Sequence, residues 1–445
     1  MAGNAAVVKS SFEHERFDHP CRAWLVVMIA ALFFFYEFIQ MNMFNAISQS
    51  LMTAFNIDAT QLGTMSSYYF IANVIFLFVA GMLLDRYSTK KIILSTLLIC
   101  IIGTVFFALS TSIAMATFAR FFTGIGSAFC FLSCIRLASR WFPTRHMALI
   151  IGCIVTMAMI GGTVAQAPLT ILVEMFQWRK ALLIDAALGI FVFLLIYFVV
   201  YDYPPNLSEE EKNAHQELQE LGYWKSMRMA FLRLNNWLGG LYTCLMNLPV
   251  VLLGGLWGNL YLIKVHQFTA MQASIVSSML FIGTIVGSPL SGWFSDKLGL
   301  RRLPMRMGAL IALGLVATTI MMTQLDYQKM IIMFFIIGFV TSTQIIGYPF
   351  VAESSPRIIT AMSVSVVNIS AQAGIALFQP LFGYFMDLHA QILHEAISYY
   401  SAGDFVWPML IFPIGMILAL LITFILKETY GKSLEQRELE QNTGL

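Results

Sequence analysis

The feature that most constrains this chain is a succession of long apolar blocks separated by short polar breaks. They fall near residues 23–47, 61–84, 91–110, 113–135, 147–172, 180–200, 237–260, 270–294, 304–323, 329–350, 359–383 and 405–426. A helix needs about 20 apolar residues to cross the roughly 30 Å hydrocarbon core of a bilayer. The pattern therefore predicts an all-α membrane protein with 12 transmembrane helices. Composition agrees: 11% of the 445 residues are charged, whereas a soluble domain carries about a quarter. Residues 1–21 are polar and no small-residue cleavage site follows the first block. That block is expected to be a span and not a removable signal.

Orientation follows from Lys and Arg, which collect in cytoplasmic loops. With the N-terminus inside, 21 basic residues fall in inner loops and tails and four in outer loops (Arg179, Lys180, Lys264 and Lys329). This bias predicts both termini in the cytoplasm. The longest polar interval, 201–236, divides the chain into halves at 23–200 and 237–426, with tails at 1–22 and 427–445. Pro204 and Pro205 stop the sixth helix. Ser208 and Glu211 have capping-box spacing, so a short surface helix is expected to about Leu221.

Each half carries the same motif after its second span. The first reads Gly81-Met-Leu-Leu-Asp85-Arg86 and closes on Lys90-Lys91; the other reads Gly292-Trp-Phe-Ser-Asp296-Lys297 and closes on Arg301-Arg302. Internal repeats of this kind mark secondary transporters. Gly permits close helix approach. An Asp beside a basic residue at the mouth can hold a gate in one state and release it in another, or simply anchor the loop. Gly81, Asp85, Arg86, Arg140, Gly292, Asp296 and Lys297 are therefore the candidate gating residues.

On these motifs the chain resembles the major facilitator superfamily over essentially its whole length. Arg120-Phe-Phe-Thr-Gly124-Ile-Gly126 is similar to that family's fourth-span Arg…Gly-x-Gly motif, and Arg140-Trp-Phe-Pro143 resembles its anion, organic-acid and nutrient branches, including those of intracellular bacteria, and its lysosomal dipeptide branch. The resemblance implies two pseudo-symmetric six-helix bundles, with helices one and four side by side at a central cavity. Exporters of the family carry Gly-Pro in the fifth span; here Ala165-Gln166 stands in its place. That departure favours uptake.

Two ionisable residues lie deep in spans, where a charge costs about 2.5–3.5 kcal/mol on insertion scales. Glu37 sits roughly 20 Å, and Arg120 roughly 18 Å, above the inner boundary at 1.5 Å per residue. They are expected to pair. Desolvation favours the neutral carboxyl and a nearby Arg the charged one, a competition suited to a proton switch; a static ion pair is the alternative. Asp185 is read as structural, pairing with Arg179 or Lys180. Gln40, Asn73, Asn247, Gln344, Tyr348, Asn368 and Gln372 are neutral hydrogen-bonding residues in spans. They are the candidate substrate-binding set, although such residues also bond helix to helix.

Other chemistry lacks support. The six cysteines have no loop spacing for a disulfide framework or zinc site. None of the seven histidines lies deep in a span, and no Gly-rich loop with Lys-Ser/Thr offers a nucleotide site. A net charge of +2 without a basic cluster argues against nucleic acid. The expectation is a non-enzymatic, cofactor-free and metal-free transporter, acting as a monomer in a bacterial inner membrane. Its expected partners are a small-molecule substrate, protons and the lipid bilayer. Proton-coupled uptake of an amino acid or short peptide leads. A carboxylate siderophore or organic acid follows, then antiport export of metabolites or drugs.

Overall fold

The computed structural model describes residues 20–142, 146–204, 223–322, 325–356, 359–392, 400–432 and 434. Among these residues there is no β-strand. The first span runs as Pro20–Asn42 and, after a turn at Met43, Phe44–Phe55. Asn56 ends it in the left-handed conformation (φ 50°), and a capping box of Asp58 with Gln61 starts the second span, Ala59–Arg86. Ser88 and Ser112 cap the third and fourth spans, Thr89–Ala108 and Ile113–Trp141.

Among the described residues eleven helices are long and apolar enough to cross a membrane, and one of them, Leu149–Val199, is 51 residues long. Its first helix is Met147–Val164. The second, Ala167–Val199, loses helical geometry at Gln177 (φ 64°, ψ 159°). Near that break Arg179 donates to the Ser110 carbonyl, in the turn joining the third and fourth spans. At the other end the Trp141 indole donates to the Tyr201 carbonyl. The chain thus crosses, turns at Gln177 and returns, which gives the fifth and sixth of twelve crossings.

In the second half the seventh span is Leu234–Leu248, a π-helical stretch Pro249–Trp257, and Gly258–His266. Pro249 brings no backbone N–H to the i→i−4 ladder where the wider helix begins. The eighth and ninth spans are Ala270–Leu298 and Arg302–Met321. The tenth is Tyr327–Thr341, a 3₁₀ turn Ser342–Ile346, and Gly347–Glu353; the eleventh is Thr360–Ile392. The twelfth comprises Ala402–Phe405, Val406–Met409 and Ile411–Ile425. The surface helix expected near 208–221 lies outside the described residues; a short helix, Tyr223–Phe231, precedes the seventh span.

Two ends of the molecule can be distinguished. Arg86, Lys90, Arg140, Arg301 and Arg302 stand at the basic face. Asp58, Ser110, Gln177 and Asp387 stand at the far face. Glycines set the helix contacts within each half. A Cβ at Gly124 would run into the Tyr69 carbonyl of the second span. In the second half, a Cβ at Gly283 would lie 2.7 Å from the Phe339 nitrogen of the tenth span. Gly292, expected to permit close approach, does not: a Cβ there would meet no atom within 4 Å.

Candidate functional site

The described hydrogen bonds that join the two halves gather at the far side. Asn45 of the first span donates to Gln166 Oε1 (2.7 Å) and Asn259 Oδ1 (3.2 Å), and its own Oδ1 accepts from the Asn259 backbone N–H at 2.8 Å. Gln166 Nε2 donates to the Gly254 carbonyl at 2.8 Å, and Thr170 meets Ser274 at 2.6 Å. Gln166 can turn into the interface because the fifth span's helix breaks between Val164 and Ala167. A Gly-Pro pair here would have no side chain for these bonds. Above this seam a cleft of about 480 Å³ opens to the far face, lined by Ser48, Thr53, Glu174 and Ile263 among others.

A second seam joins the second and eleventh spans. Asp387, 5% exposed, accepts from the backbone N–H groups of Thr60 (2.8 Å) and Ala59 (3.2 Å) and from the hydroxyls of Thr60 and Tyr400. Tyr400 also takes the Ala59 N–H at 2.8 Å. The carboxylate caps the first turn of a helix from the other half, where unpaired N–H groups and the helix dipole favour negative charge. Gly63 lets the helices meet: a Cβ there would lie 2.6 Å from the Gln379 carbonyl oxygen.

Inside the first half, Glu37 and Arg120 are both buried, at 1% and 0% exposure. They do not form the expected contact pair; Tyr69 mediates between them. Its hydroxyl donates to Glu37 Oε2 at 3.1 Å, and the Arg120 guanidinium lies 4.6 Å from the centroid of its ring. Phe44 stands at the same distance from the guanidinium. Arg120 Nη1 donates to the Gln40 carbonyl at 2.9 Å. Glu37 Oε1 and Arg120 Nε and Nη2 have no hydrogen-bond partner. Room for the carboxylate depends on Gly126, whose added Cβ would lie 3.1 Å from Glu37 Oε1 and 2.8 Å from the Thr96 carbonyl.

Asp185 corrects a second expectation. It pairs with neither Arg179 nor Lys180 among the described bonds; its Oδ2 accepts a short hydrogen bond from Gln40 Nε2. Arg179 instead donates to Ser110 and covers the Trp178 ring at 4.1 Å. Gln40 Oε1 accepts from Thr104 at 3.0 Å, and Tyr36 donates to Thr104 at 3.4 Å. Gln40 is thus fully engaged within its own half, linking Asp185 by its side chain to Arg120 by its backbone. Asn73 lies below, donating to Ser127 at 2.5 Å with its Oδ1 unpartnered.

In the second half, Gln344 donates to Asn247 at 3.0 Å, bringing the tenth and seventh spans together. Asn247, Gln344, Tyr348, Asn368 and Gln372 are half-buried, and Gln372 Oε1 has no partner. The sequence reading missed Tyr69, Asn42, Asn45, Asn259, Gln379 and Asp387. Gln166 carried a signal, the departure from Gly-Pro.

At the basic face the described bonds of Asp296 and Arg140 lie within their own halves. Asp296 meets Arg301 at 2.6 Å and Arg301 meets Glu353 at 2.6 Å, while the Arg301 backbone N–H donates to Glu428 at 2.7 Å. Burial works against the Arg301 charge, but bonds and charges from Glu353 and Asp296 outweigh it and hold its pKa above the usual arginine value. Lys297 lies 4.8 Å from the Trp293 ring centroid. In the first half Arg140 donates to Thr89 (3.0 Å) and lies 3.6 Å from Asp202, which also accepts from Ser88 and the Lys90 N–H. Gly81 is half-buried and Arg86 exposed; the Asp85 side chain lies outside the described residues.

Twelve crossings in two halves, with Glu37 and Arg120 buried deep in the first half and a polar seam between the halves, are the architecture of a membrane transporter of the secondary type. Residues 29–379 match the family described as Major Facilitator Superfamily, and the chain belongs to it. It is 24% identical over 313 residues to a probable hexose phosphate transport protein of Chlamydia muridarum, covering 65% of this chain and 68% of that protein. It is 22% identical over 321 residues to the probable sulfoacetate transporter SauU of Cupriavidus necator, covering 68% and 72%. In fold it is similar to a D-xylose-proton symporter: TM-score 0.74, 13% identity, 92% of this chain and 99% of that one.

Proposed function

We propose that this protein is a proton-coupled importer of a small organic anion, working by alternating access between its two halves. The carrying observation is the separation of Glu37 from Arg120 by Tyr69. The guanidinium keeps two N–H sites without an acceptor. An ionised carboxylate is costly in a low-dielectric interior without a cation in contact, and it neutralises by taking a proton. A guanidinium there is suited to an anion. Proton and anion together leave the net charge of the site unchanged. The relatives named for hexose phosphate and sulfoacetate support an anion over the amino acid or peptide that the sequence favoured. The single deep arginine supports a solute of low charge.

By the Lys/Arg bias the basic face is cytoplasmic, so the far seams close the outer side and this state faces inward. Opening the outer side would break the bonds of Asn45, Gln166 and Asp387. A thermal-shift screen of organic anions on purified protein at two pH values tests the reading. A ligand should stabilise wild type in a pH-dependent way and lose its effect in Arg120→Ala. Stabilisation by the same anion, undiminished in Arg120→Ala, would refute the assignment.

A further inference from the structure

Most buried polar side-chain atoms in proteins have hydrogen-bond partners. Three that do not converge at the junction of the halves. Gln379, 0% exposed in the eleventh span, has neither its amide oxygen nor its amide nitrogen bonded. Asn42, 1% exposed in the first span, gives Nδ2 to the Phe38 carbonyl at 2.8 Å and leaves Oδ1 unpartnered. Gly255, in the π-helical stretch of the seventh span, faces both. A Cβ placed on it would lie 3.5 Å from Asn42 Oδ1 and 3.5 Å from Gln379 Nε2. An acceptor from the first half and a donor from the second therefore flank the same face of Gly255.

The amides are not ordinary interface glue. Three residues along, Asn45 is fully bonded across the same junction. Gln379 is also held in place: its backbone carbonyl accepts the Trp257 indole N–H at 3.2 Å and lies against Gly63. What stays unsatisfied are the side-chain groups that flank Gly255.

We propose that Asn42, Gln379 and the gap kept by Gly255 form a binding site for a hydroxyl group of the transported solute, a proposal that rests on the transport reading above. A hydroxyl both donates and accepts. Its hydrogen goes to Asn42 Oδ1 and its oxygen accepts from Gln379 Nε2. A carboxylate or sulfonate, which only accepts, could take the Gln379 Nε2 donor but would set an oxygen against Asn42 Oδ1. The solute class that fits is a hydroxylated organic anion, its anionic end read elsewhere and its hydroxyl read at this seam. Because the seam joins the halves, the hydroxyl would bridge them.

The test is binding of matched probes that differ by one hydroxyl: lactate and propionate, glycolate and acetate, malate and succinate, glucose 6-phosphate and 2-deoxyglucose 6-phosphate. Affinities are measured calorimetrically on purified full-length wild type, Gln379→Leu and Gly255→Ala. The second variant adds one methyl at ordinary contact distance and guards against misfolding in the first. In at least one pair wild type should prefer the hydroxylated member about tenfold, roughly the value of one hydrogen bond. Both variants should bring that ratio to about one. Probes that bind without a hydroxyl preference, or with a preference surviving both substitutions, overturn this proposal alone and make the amides a seat for structural water. If no probe binds wild type and none is taken up into proteoliposomes, the transport reading falls and this proposal with it.

Discussion

Replacing Asp387 with Ala should open the far face. The carboxylate receives two backbone N–H groups and two hydroxyls, all but the Tyr400 hydroxyl from the opposite half. Hydrogen bonds to a charged group are worth about 1.5–3 kcal/mol each, and such values are not additive within one network. The Ala59 N–H keeps a partner in Tyr400. Counting a single such bond as the net loss gives a change of about 1.5–3 kcal/mol, or roughly ten- to a hundredfold in the ratio of open to closed far face. The open state does not use these bonds, so the sign is toward opening. Ser48 lines the far cleft and is 3% exposed. A Ser48→Cys reporter in a background without the native cysteines, labelled from the far side by an impermeant maleimide, reads the equilibrium. Asp387→Ala should raise the labelling rate at least about tenfold. An unchanged or slower rate would refute the argument that this cap holds the halves together.

Three further outcomes follow from the same geometry. Glu37→Gln keeps the hydrogen bond to Tyr69 but cannot change charge, so it should retain anion binding and lose accumulation driven by a pH gradient, as read by uptake against concentration. Gly126→Ala would force a methyl to 2.8 Å from the Thr96 carbonyl and 3.1 Å from Glu37 Oε1; overpacking of this kind costs about 1–3 kcal/mol, visible as a lower melting temperature. Arg301→Ala removes the cation that meets Asp296 and Glu353; Asp296, 67% exposed, returns to water, while the lost bond to the more buried Glu353 costs about 1–3 kcal/mol, measurable by thermal unfolding.

The crossings were legible because apolar blocks of bilayer length have no soluble alternative, and the deep charges Glu37 and Arg120 because few charges occur in spans. Their relation was not. Depth along a helix places two residues at one level but does not say what stands between them, and Tyr69 comes from the second span. Asp185 was misread for a similar reason: Arg179 is near it in sequence, yet Trp178 and the Ser110 carbonyl take that arginine. The turn at Gln177 carried no Gly or Pro signal. Asn42, Asn45 and Gln379 are polar residues in apolar blocks, and Asp387 lies just past the end of one. Only the packing of one half on the other makes a seam of them. The Gly292 motif was legible as a repeat, but its expected close contact was borrowed from the behaviour of glycines at tighter crossings.

The central claim is coupling of anion entry to a proton through Glu37. The most direct measurement is uptake of labelled organic anions, glucose 6-phosphate and sulfoacetate among them, into proteoliposomes with an imposed inside-alkaline gradient. Wild type should accumulate at least one of them above the external concentration, with the gain abolished by an uncoupler and absent in Glu37→Gln. Accumulation that survives both the uncoupler and the substitution would contradict the account.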